Sequence, residues 1–308
     1  MIIFVGPDGS GKTTCAQSLH LRNFHFTKDS EYADYLKPLV AGEFWDSVCD
    51  RYIFDEIIYS KVMHRQIRHT NKEIHNIMLT TLMCRPVIVL FTHKPDRSTY
   101  EKAQYLPFEH WEECMQTYRD VLHEQRLPFF EFDYESPFVD PSMFVFTANT
   151  RMKFSSWWFN TIKTGNFPIG SPHPKVLIVA ERLGPNNANN IPFETGPTGF
   201  MLSDVIVKAK IPWYDIAVTN YVKDVRRSTR TPNDEDNRRL TEELEHLKPE
   251  KVLLMGAVAN KAKSIVMSMN IPVINIPHLG SLRYSGITDL GPYSSYIRSF
   301  VYNEQRKH

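Results

Sequence analysis

Apolar residues along the chain fall into short unbroken runs separated by longer stretches with helical spacing. Ile2-Ile3-Phe4-Val5 predicts a strand, followed by a helix over 11–21. Ser47-Val48-Cys49 predicts a short strand ending at Asp50. Ile53, Ile57, Ile58, Val62 and Met63 recur at helical spacing, which predicts a helix over 53–69. The run from Pro86 to Phe91 is continuous and rich in β-branched residues, as in a strand buried on both faces of a parallel sheet. A helix over 108–123 and a strand over 129–132 complete the first half. Ser136-Pro137 and Asp140-Pro141 then break the pattern, and a helix is expected over 154–162 around Trp157 and Trp158. After a loop marked by Gly165, Pro168, Gly170, Pro172 and Pro174, the rhythm resumes. Strands are expected over 175–180, 216–219, 252–255 and 273–276, with a charged helix over 237–247.

Strands alternating with helices imply parallel sheets covered by helices. The expected fold class is therefore α/β, as two three-layer α/β domains over 1–145 and 146–308, with a linker and leading helix in 136–174. The length of 308 residues agrees with two domains of about 150. With 42% hydrophobic and 23% charged residues, disordered and collagen-like chains are excluded. Val87-Ile88-Val89-Leu90-Phe91 is the longest clean apolar stretch and is far too short to cross a bilayer, so no membrane partner is expected. The opening MIIFVGPDGSGK runs straight into a glycine-rich loop and reads as a first strand, not a signal peptide.

The 36 basic and 35 acidic residues leave no global field for non-specific nucleic-acid binding. Cys15, Cys49, Cys84 and Cys114 form no CxxC pair and no common zinc spacing. They read as buried free thiols of a reducing, cytoplasmic compartment.

Gly6-Pro7-Asp8-Gly9-Ser10-Gly11-Lys12-Thr13 fits GxxxxGK[ST] at every fixed position, after a predicted strand and before a predicted helix. Backbone N–H groups of such a loop curl around phosphate oxygens, and the helix N-terminus adds positive potential. Lys12 would reach the outer phosphates of ATP, and the Thr13 hydroxyl would ligate Mg²⁺. Asp50-Arg51-Tyr52 stands at a strand end, where Asp50 can serve the metal and Arg51 can clamp a phosphate.

These two segments, GPDGSGKTT at Gly6 to Thr14 and DRYIFDEIIYS at Asp50 to Ser60, resemble the thymidylate kinase branch of the P-loop nucleoside monophosphate kinases. The resemblance implies that Asp8 binds the acceptor's sugar 3′-hydroxyl and that Asp50 and Arg51 serve metal and acceptor phosphate. The family pattern DRYxxSxxAYQ is kept in part. Tyr59 is retained, but Asp55 stands for Ser, Ile58 for Ala and Ser60 for Gln. The chain between Thr14 and Asp50 is short for the family, so a trimmed acceptor pocket is expected. Such kinases need a cationic cover over the phosphates. Arg97 is the first candidate, in a loop that also holds His93, Lys94 and, further on, Lys102; Lys28 is a candidate near the acceptor.

The second half resembles the uracil-DNA glycosylase superfamily from Val176 to Gly286, nearest the branch that carries an iron–sulfur cluster. Ala180-Glu181-Arg182-Leu183-Gly184 resembles its GEAPG turn, and Pro192 to Leu202 its PFVGPSGRLL segment with one insertion. Thr219-Asn220-Tyr221-Val222-Lys223 resembles TNVVK. Leu247-Lys248-Pro249, the strand Val252 to Met255 with Gly256, and Ala259 resemble LxP…VVLLGxxA. Pro277-His278-Leu279 sits where the family has HPS. The resemblance implies that Phe193 stacks an extruded base, Asn220 reads its edge and His278 stabilises the departing base anion. The water-orienting acidic residue, counted from Glu181, falls on Asn187, whose amide cannot act as a general base, although other branches of the superfamily position water with an Asn. This half has no cysteine, so no iron–sulfur cluster is expected. Lys223-Asp224-Val225-Arg226-Arg227-Ser228-Thr229-Arg230 is a basic stretch able to meet DNA phosphates, blunted by Asp234-Glu235-Asp236.

The expectation is a Mg·ATP-dependent kinase of a deoxynucleoside monophosphate, dTMP or a 5-substituted dUMP such as 5-hydroxymethyl-dUMP. Its second half would be a companion that recognises pyrimidines or DNA. One alternative keeps the kinase and makes the acceptor a hydroxymethylated base in DNA. Another makes the second half an active glycosylase or nucleotide hydrolase beside a nucleotide sensor. The fusion suggests a virus or phage acting on its pyrimidine pool in a host cytoplasm. The oligomeric state stays open, a dimer being compatible with the sequence.

Overall fold

The computed structural model describes residues 1–44, 46–100, 105–133, 135, 140–154, 167–184, 191–194, 196–223 and 231–304. The chain divides into two compact units. The first comprises Met1–Thr70 and Cys84–Trp157, the second Asn71–Met83 and Trp158–His308.

In the first unit, β1 (Ile2–Val5), β2 (Arg22–His25), β3 (Ser47–Asp50), β4 (Val87–Phe91) and β5 (Phe129–Phe132) form a sheet in the order β2-β3-β1-β4-β5. Every pairing is parallel. Residues of β1, β3 and β4 are buried throughout, and β1 and β4 are the unbroken apolar runs expected when helices cover both faces. The helices are α1 (Lys12–Ser18), α2 (Tyr32–Ala41) and α3 (Ile53–Val62), then the single turn α5 (Arg97–Tyr100), α6 (Trp111–Glu124) and α7 (Ser142–Phe154). Phe4, Phe91, Phe132 and Phe144 meet edge to face in a closed ring, with centroids 4.7, 5.2, 5.3 and 6.4 Å apart, and so fasten α7 onto the sheet.

Two helix expectations shift. The helix over 53–69 ends at Val62, because His64 turns left-handed (φ 49°). Asp140-Pro141, read as loop punctuation, instead starts α7: the Ser142 N–H donates to Asp140 Oδ1 at 2.8 Å. The helix expected over 154–162, with Trp157 and Trp158, lies outside the described residues beyond Phe154.

The second unit holds β6 (Ile169–Gly170), β7 (Val176–Arg182), β8 (Ile216–Val222), β9 (Lys251–Met255) and β10 (Val273–Ile276) in the order β10-β9-β7-β8-β6. All neighbours are parallel except β6, which runs antiparallel to β8 from a segment expected to be loop. The helices are α8 (Pro197–Lys208), α9 (Asp234–Leu247), α10 (Lys263–Ser268), α11 (Leu279–Tyr284) and α12 (Gly291–Tyr302).

One more helix, α4 (Asn71–Met83), comes from the first half of the chain yet belongs to this unit. The chain passes between the units at 70/71, 83/84 and 157/158. The ten residues from Ile74 to Met83 are all buried, the polar His75, Asn76, Thr80 and Thr81 among them. Burial pushes the His75 ring down to about 4, and its edge packs on Trp213 at 6.0 Å. Lys72 Nζ donates to the Glu194 carbonyl at 2.9 Å and lies 4.3 Å from the Phe200 ring centroid. Among the described residues, no helix is long and apolar enough to cross a membrane.

All four cysteines are buried thiols outside any disulfide. Burial pushes the Cys15 thiol up to about 11 and those of Cys49 and Cys84 up to about 12, and raises Cys114 as well. Ellman's reagent at pH 8 is therefore expected to label essentially no thiol in the native protein and four per chain in denaturant. Prompt native labelling would contradict this packing.

Candidate functional site

In the first unit, the chain leaves β1 at Val5 and turns into α1 through Gly6 to Gly11. The turn demands glycine at Gly6, where φ is +139° and a Cβ would lie 2.7 Å from the Phe91 carbonyl. Gly9 (φ +74°) faces Pro95 and Tyr100, which a Cβ would meet at 2.9 and 3.1 Å, so the segment after β4 closes over the loop. Gly11, also left-handed at φ 93°, caps α1, whose first turn carries Lys12, Thr13 and Thr14.

Lys12 does not extend outward. Its Nζ donates to the Gly6 and Pro7 carbonyls at 2.6 and 2.8 Å and sits 3.4 Å from Ser10 Oγ. Burial pushes its ammonium pKa down, opposed first by the Asp55 charge.

Asp50, fully buried at the end of β3, accepts from the Thr13 hydroxyl through Oδ2 at 2.6 Å. The His25 ring lies 3.1 Å from the same oxygen, while Asp50 Oδ1 makes no hydrogen bond. This pair of hard oxygens suits a divalent cation. Sequence reasoning missed His25. The signal for it was adjacency, since β2 and β3 pair His25 directly with Asp50.

Asp8 is buried and heavily engaged. Oδ1 accepts from Arg51 Nη2 at 2.8 Å, and Oδ2 accepts from the amides of Tyr105 and Leu106 at 3.1 and 3.3 Å. Its own N–H donates to the Tyr59 hydroxyl at 3.0 Å. Arg51 adopts φ 67°, a left-handed conformation that aims a bulky side chain back toward the loop. The exposed Arg97 lies in α5 with its guanidinium 5.7 Å from the Phe108 ring centroid. Lys94 is held by Glu112 at 2.8 Å. Lys102 lies outside the described residues.

Beside these groups opens a cavity of about 310 Å³ lined by Lys28, Arg51, Asp55, Tyr59, Arg65 and Tyr105 among others. Asp55, on α3, accepts from the Tyr118 hydroxyl through Oδ1 at 2.5 Å, and its Oδ2 makes no hydrogen bond. Desolvation pushes its carboxyl up to about 6 against the nearby Lys12 and Arg51. Sequence reading noted Asp55 only as a departure from a pattern.

The second unit holds a larger cavity, about 1010 Å³, at the carboxyl ends of β7, β8, β9 and β10. Glu181, Phe193, Asn220 and His278 all line it. Asn220 is 1% exposed, and its Nδ2 makes no hydrogen bond. Phe193 stands at φ 62°, an uncommon conformation for an aromatic residue. Glu181 Oε1 accepts from the Val258 N–H at 3.2 Å. The His278 carbonyl accepts from the Ser281 N–H at 2.8 Å, tying the ring's backbone to α11. Asn187 lies outside the described residues.

The basic stretch behaves differently at its start. Lys223 turns inward, 4% exposed, and donates to Glu243 Oε1 at 2.5 Å and to Thr219 Oγ1 at 2.7 Å. Thr219 Oγ1 donates in turn to Glu243 Oε2 at 2.9 Å. Lys223 is therefore a buried partner under β8 and not a phosphate contact; residues 224–230 are outside the described residues.

Residues 167–293 match the family model of the uracil DNA glycosylase superfamily. That match spans every lining residue of the larger cavity, so the second unit carries a uracil DNA glycosylase-like domain. No curated protein matches the chain. Among solved structures, the YorR protein of Bacillus subtilis, described as a complex with phosphorylated GDP, is similar to this chain. The likeness covers 49% of this chain and 97% of YorR at 16% identity, with a TM-score of 0.37, too low to establish a shared fold.

The Asp55 carboxyl generates a stability prediction. Its folded value lies above the ordinary 3.8, so the folded chain binds this proton more tightly than the unfolded chain. Its contribution to stability therefore declines as pH rises from about 4 to 6. Asp55→Asn is expected to be more stable than the wild type at pH 7.5, by at most about 3 kcal/mol, with the difference closing toward pH 4. Urea unfolding at both pH values checks this, and a pH-independent difference would contradict it.

Proposed function

We propose that the first unit is a Mg·ATP-dependent phosphotransferase with a nucleotide-class acceptor, and that the glycosylase-like second unit binds a nucleobase. The observation that carries the first part is the junction of the glycine loop with Asp50. Thr13 Oγ1 and Asp50 Oδ2 are bonded at 2.6 Å, and Asp50 Oδ1 is buried without a hydrogen bond beside a helix N-terminus. Backbone N–H groups of the loop would hold the phosphates of ATP, and Thr13 and Asp50 would hold Mg²⁺. Mg²⁺ bound there would neutralise charge on the transferring phosphoryl group. Lys12 then exchanges its carbonyl partners for phosphate oxygens, a trade favoured because its charge is desolvated where it stands. Arg51, fixed by Asp8, would orient the acceptor, and Arg97 in the covering segment would shield the phosphates.

For the second unit, the support is Asn220. Its unsatisfied buried amide needs an acceptor, which a base carbonyl supplies, while the Phe193 ring offers a stacking face. Glu181 is engaged with the Val258 N–H, and Asn187 brings no carboxylate, so binding is favoured over cleavage.

The test uses the full chain with Mg²⁺ and γ-labelled ATP against nucleotides, nucleosides and oligonucleotides. Thr13→Ala and Asp50→Asn are expected to lower phosphoryl transfer by about 10²-fold or more. Full activity of Asp50→Asn would sink the reading. Asn220→Ala should weaken capture of a uracil-containing single strand without changing ATP turnover. A nicking assay on the same strand decides between binding and cleavage.

A further inference from the structure

Asp55 is the group that the phosphotransferase reading leaves without a task. It lines the 310 Å³ cavity together with Arg51, and one of its carboxylate oxygens makes no hydrogen bond. Arg51, which lines the same cavity, is bonded to Asp8 of the glycine loop at 2.8 Å. Whatever reaches the Asp55 carboxylate therefore stands beside that loop. The cavity wall is aromatic, with Phe26, Tyr35, Tyr52, Tyr59 and Tyr105, which suits a nucleobase or nucleoside.

Of the three cations lining the cavity, Lys28, Arg51 and Arg65, the two arginines are already matched by carboxylates. Arg51 pairs with Asp8 and Arg65 with Glu56, each at 2.8 Å. A phosphate monoester entering here would bring about two negative charges against the desolvated Asp55 carboxylate. It would also need no help as a nucleophile, because its second proton leaves near pH 6 (about 6). An alcohol differs on both counts: it is neutral, and it must lose a proton to attack.

We infer that the cavity takes a hydroxyl acceptor on a nucleoside or nucleobase, with the Asp55 carboxylate accepting the hydroxyl proton. This rests on the phosphotransferase reading of the first unit. In the step, the acceptor oxygen bonds to the γ-phosphorus of ATP as the bond from that phosphorus to the β,γ-bridging oxygen breaks. ADP leaves with the electron pair, and the hydroxyl proton passes to Asp55, which returns it to solvent. The product is a phosphomonoester and not a nucleoside diphosphate.

The experiment offers the full chain Mg²⁺, γ-labelled ATP and three acceptors: dTMP, 5-hydroxymethyl-2′-deoxyuridine, and an oligonucleotide containing 5-hydroxymethyluracil. Label is expected on a hydroxyl acceptor, and the nucleoside and oligonucleotide arms distinguish a free from a strand-borne source. Asp55→Asn and Asp55→Ser are expected to lower that transfer by about 10²- to 10⁴-fold while ATP binding, measured by equilibrium dialysis, stays within about twofold. Formation of dTDP, unimpaired transfer by both variants, or absence of label from both hydroxyl acceptors while ATP is bound would overturn the inference alone. Failure of the wild type to bind Mg·ATP would instead overturn the phosphotransferase reading beneath it.

Discussion

The hydrogen bond from Thr13 to Asp50 is the constraint around which the first unit is arranged. It joins the first turn of α1 to the last residue of β3, two elements that meet only because β1 and β3 run parallel with Phe4 opposite Asp50. Parallel strands send their loops to one edge of the sheet, so the glycine loop, Asp50, Arg51 and the segment after β4 are forced into one neighbourhood. The aromatic ring of Phe4, Phe91, Phe132 and Phe144 keeps that register by packing α7 across β1, β4 and β5. The cavity beside Asp55 follows, since α3 begins two residues after Arg51.

The second unit solves a similar problem with a buried ion pair. Asn220 lies near the end of β8, and the Thr219–Lys223–Glu243 network anchors that strand to α9. Both charges are desolvated: burial lowers the Lys223 ammonium and raises the Glu243 carboxyl, each opposed by the other. Such a pair contributes little net stability but strongly disfavours arrangements that separate it. Strand position, and with it the Asn220 amide, is what the pair specifies.

How much of this was legible depended on whether the signal was local. The strand–loop–helix around Lys12 and the strand end at Asp50 are written in consecutive residues, and so is the α/β rhythm. Glu181, Phe193, Asn220 and His278 are scattered over about 100 positions. They reach one cavity because Glu181 and Asn220 lie in the last residues of β7 and β8, His278 follows β10, and Phe193 lies in the connection after β7. The helix α4 was not legible: with His75, Asn76, Thr80 and Thr81 buried beside Ile77 and Leu79, it shows no polar face. Nor does local periodicity say which unit a helix joins. Lys223 was misread for a related reason, because a lysine in a basic run looks solvated until its buried carboxylate partner, 20 residues away, is known.

Several buried side-chain atoms left without hydrogen bonds lie beside the phosphate loop or belong to cavity-lining residues, although His69 Nδ1 does not. Asp50 Oδ1 lies beside the phosphate loop, Asp55 Oδ2 and Arg65 Nε belong to residues of the smaller cavity, and Asn220 Nδ2 to one of the larger. Each such atom costs about 1–3 kcal/mol relative to a satisfied group. A chain under selection for stability alone would replace them with apolar or paired side chains. Two carboxylates and an amide are also the groups that metal, proton and base chemistry require, in that order. On the proposed reading, stability is given up for chemistry at these positions: Asp50 Oδ1 would offer an acceptor to a cation, Asp55 Oδ2 an acceptor to a proton, and Asn220 Nδ2 a donor to a carbonyl.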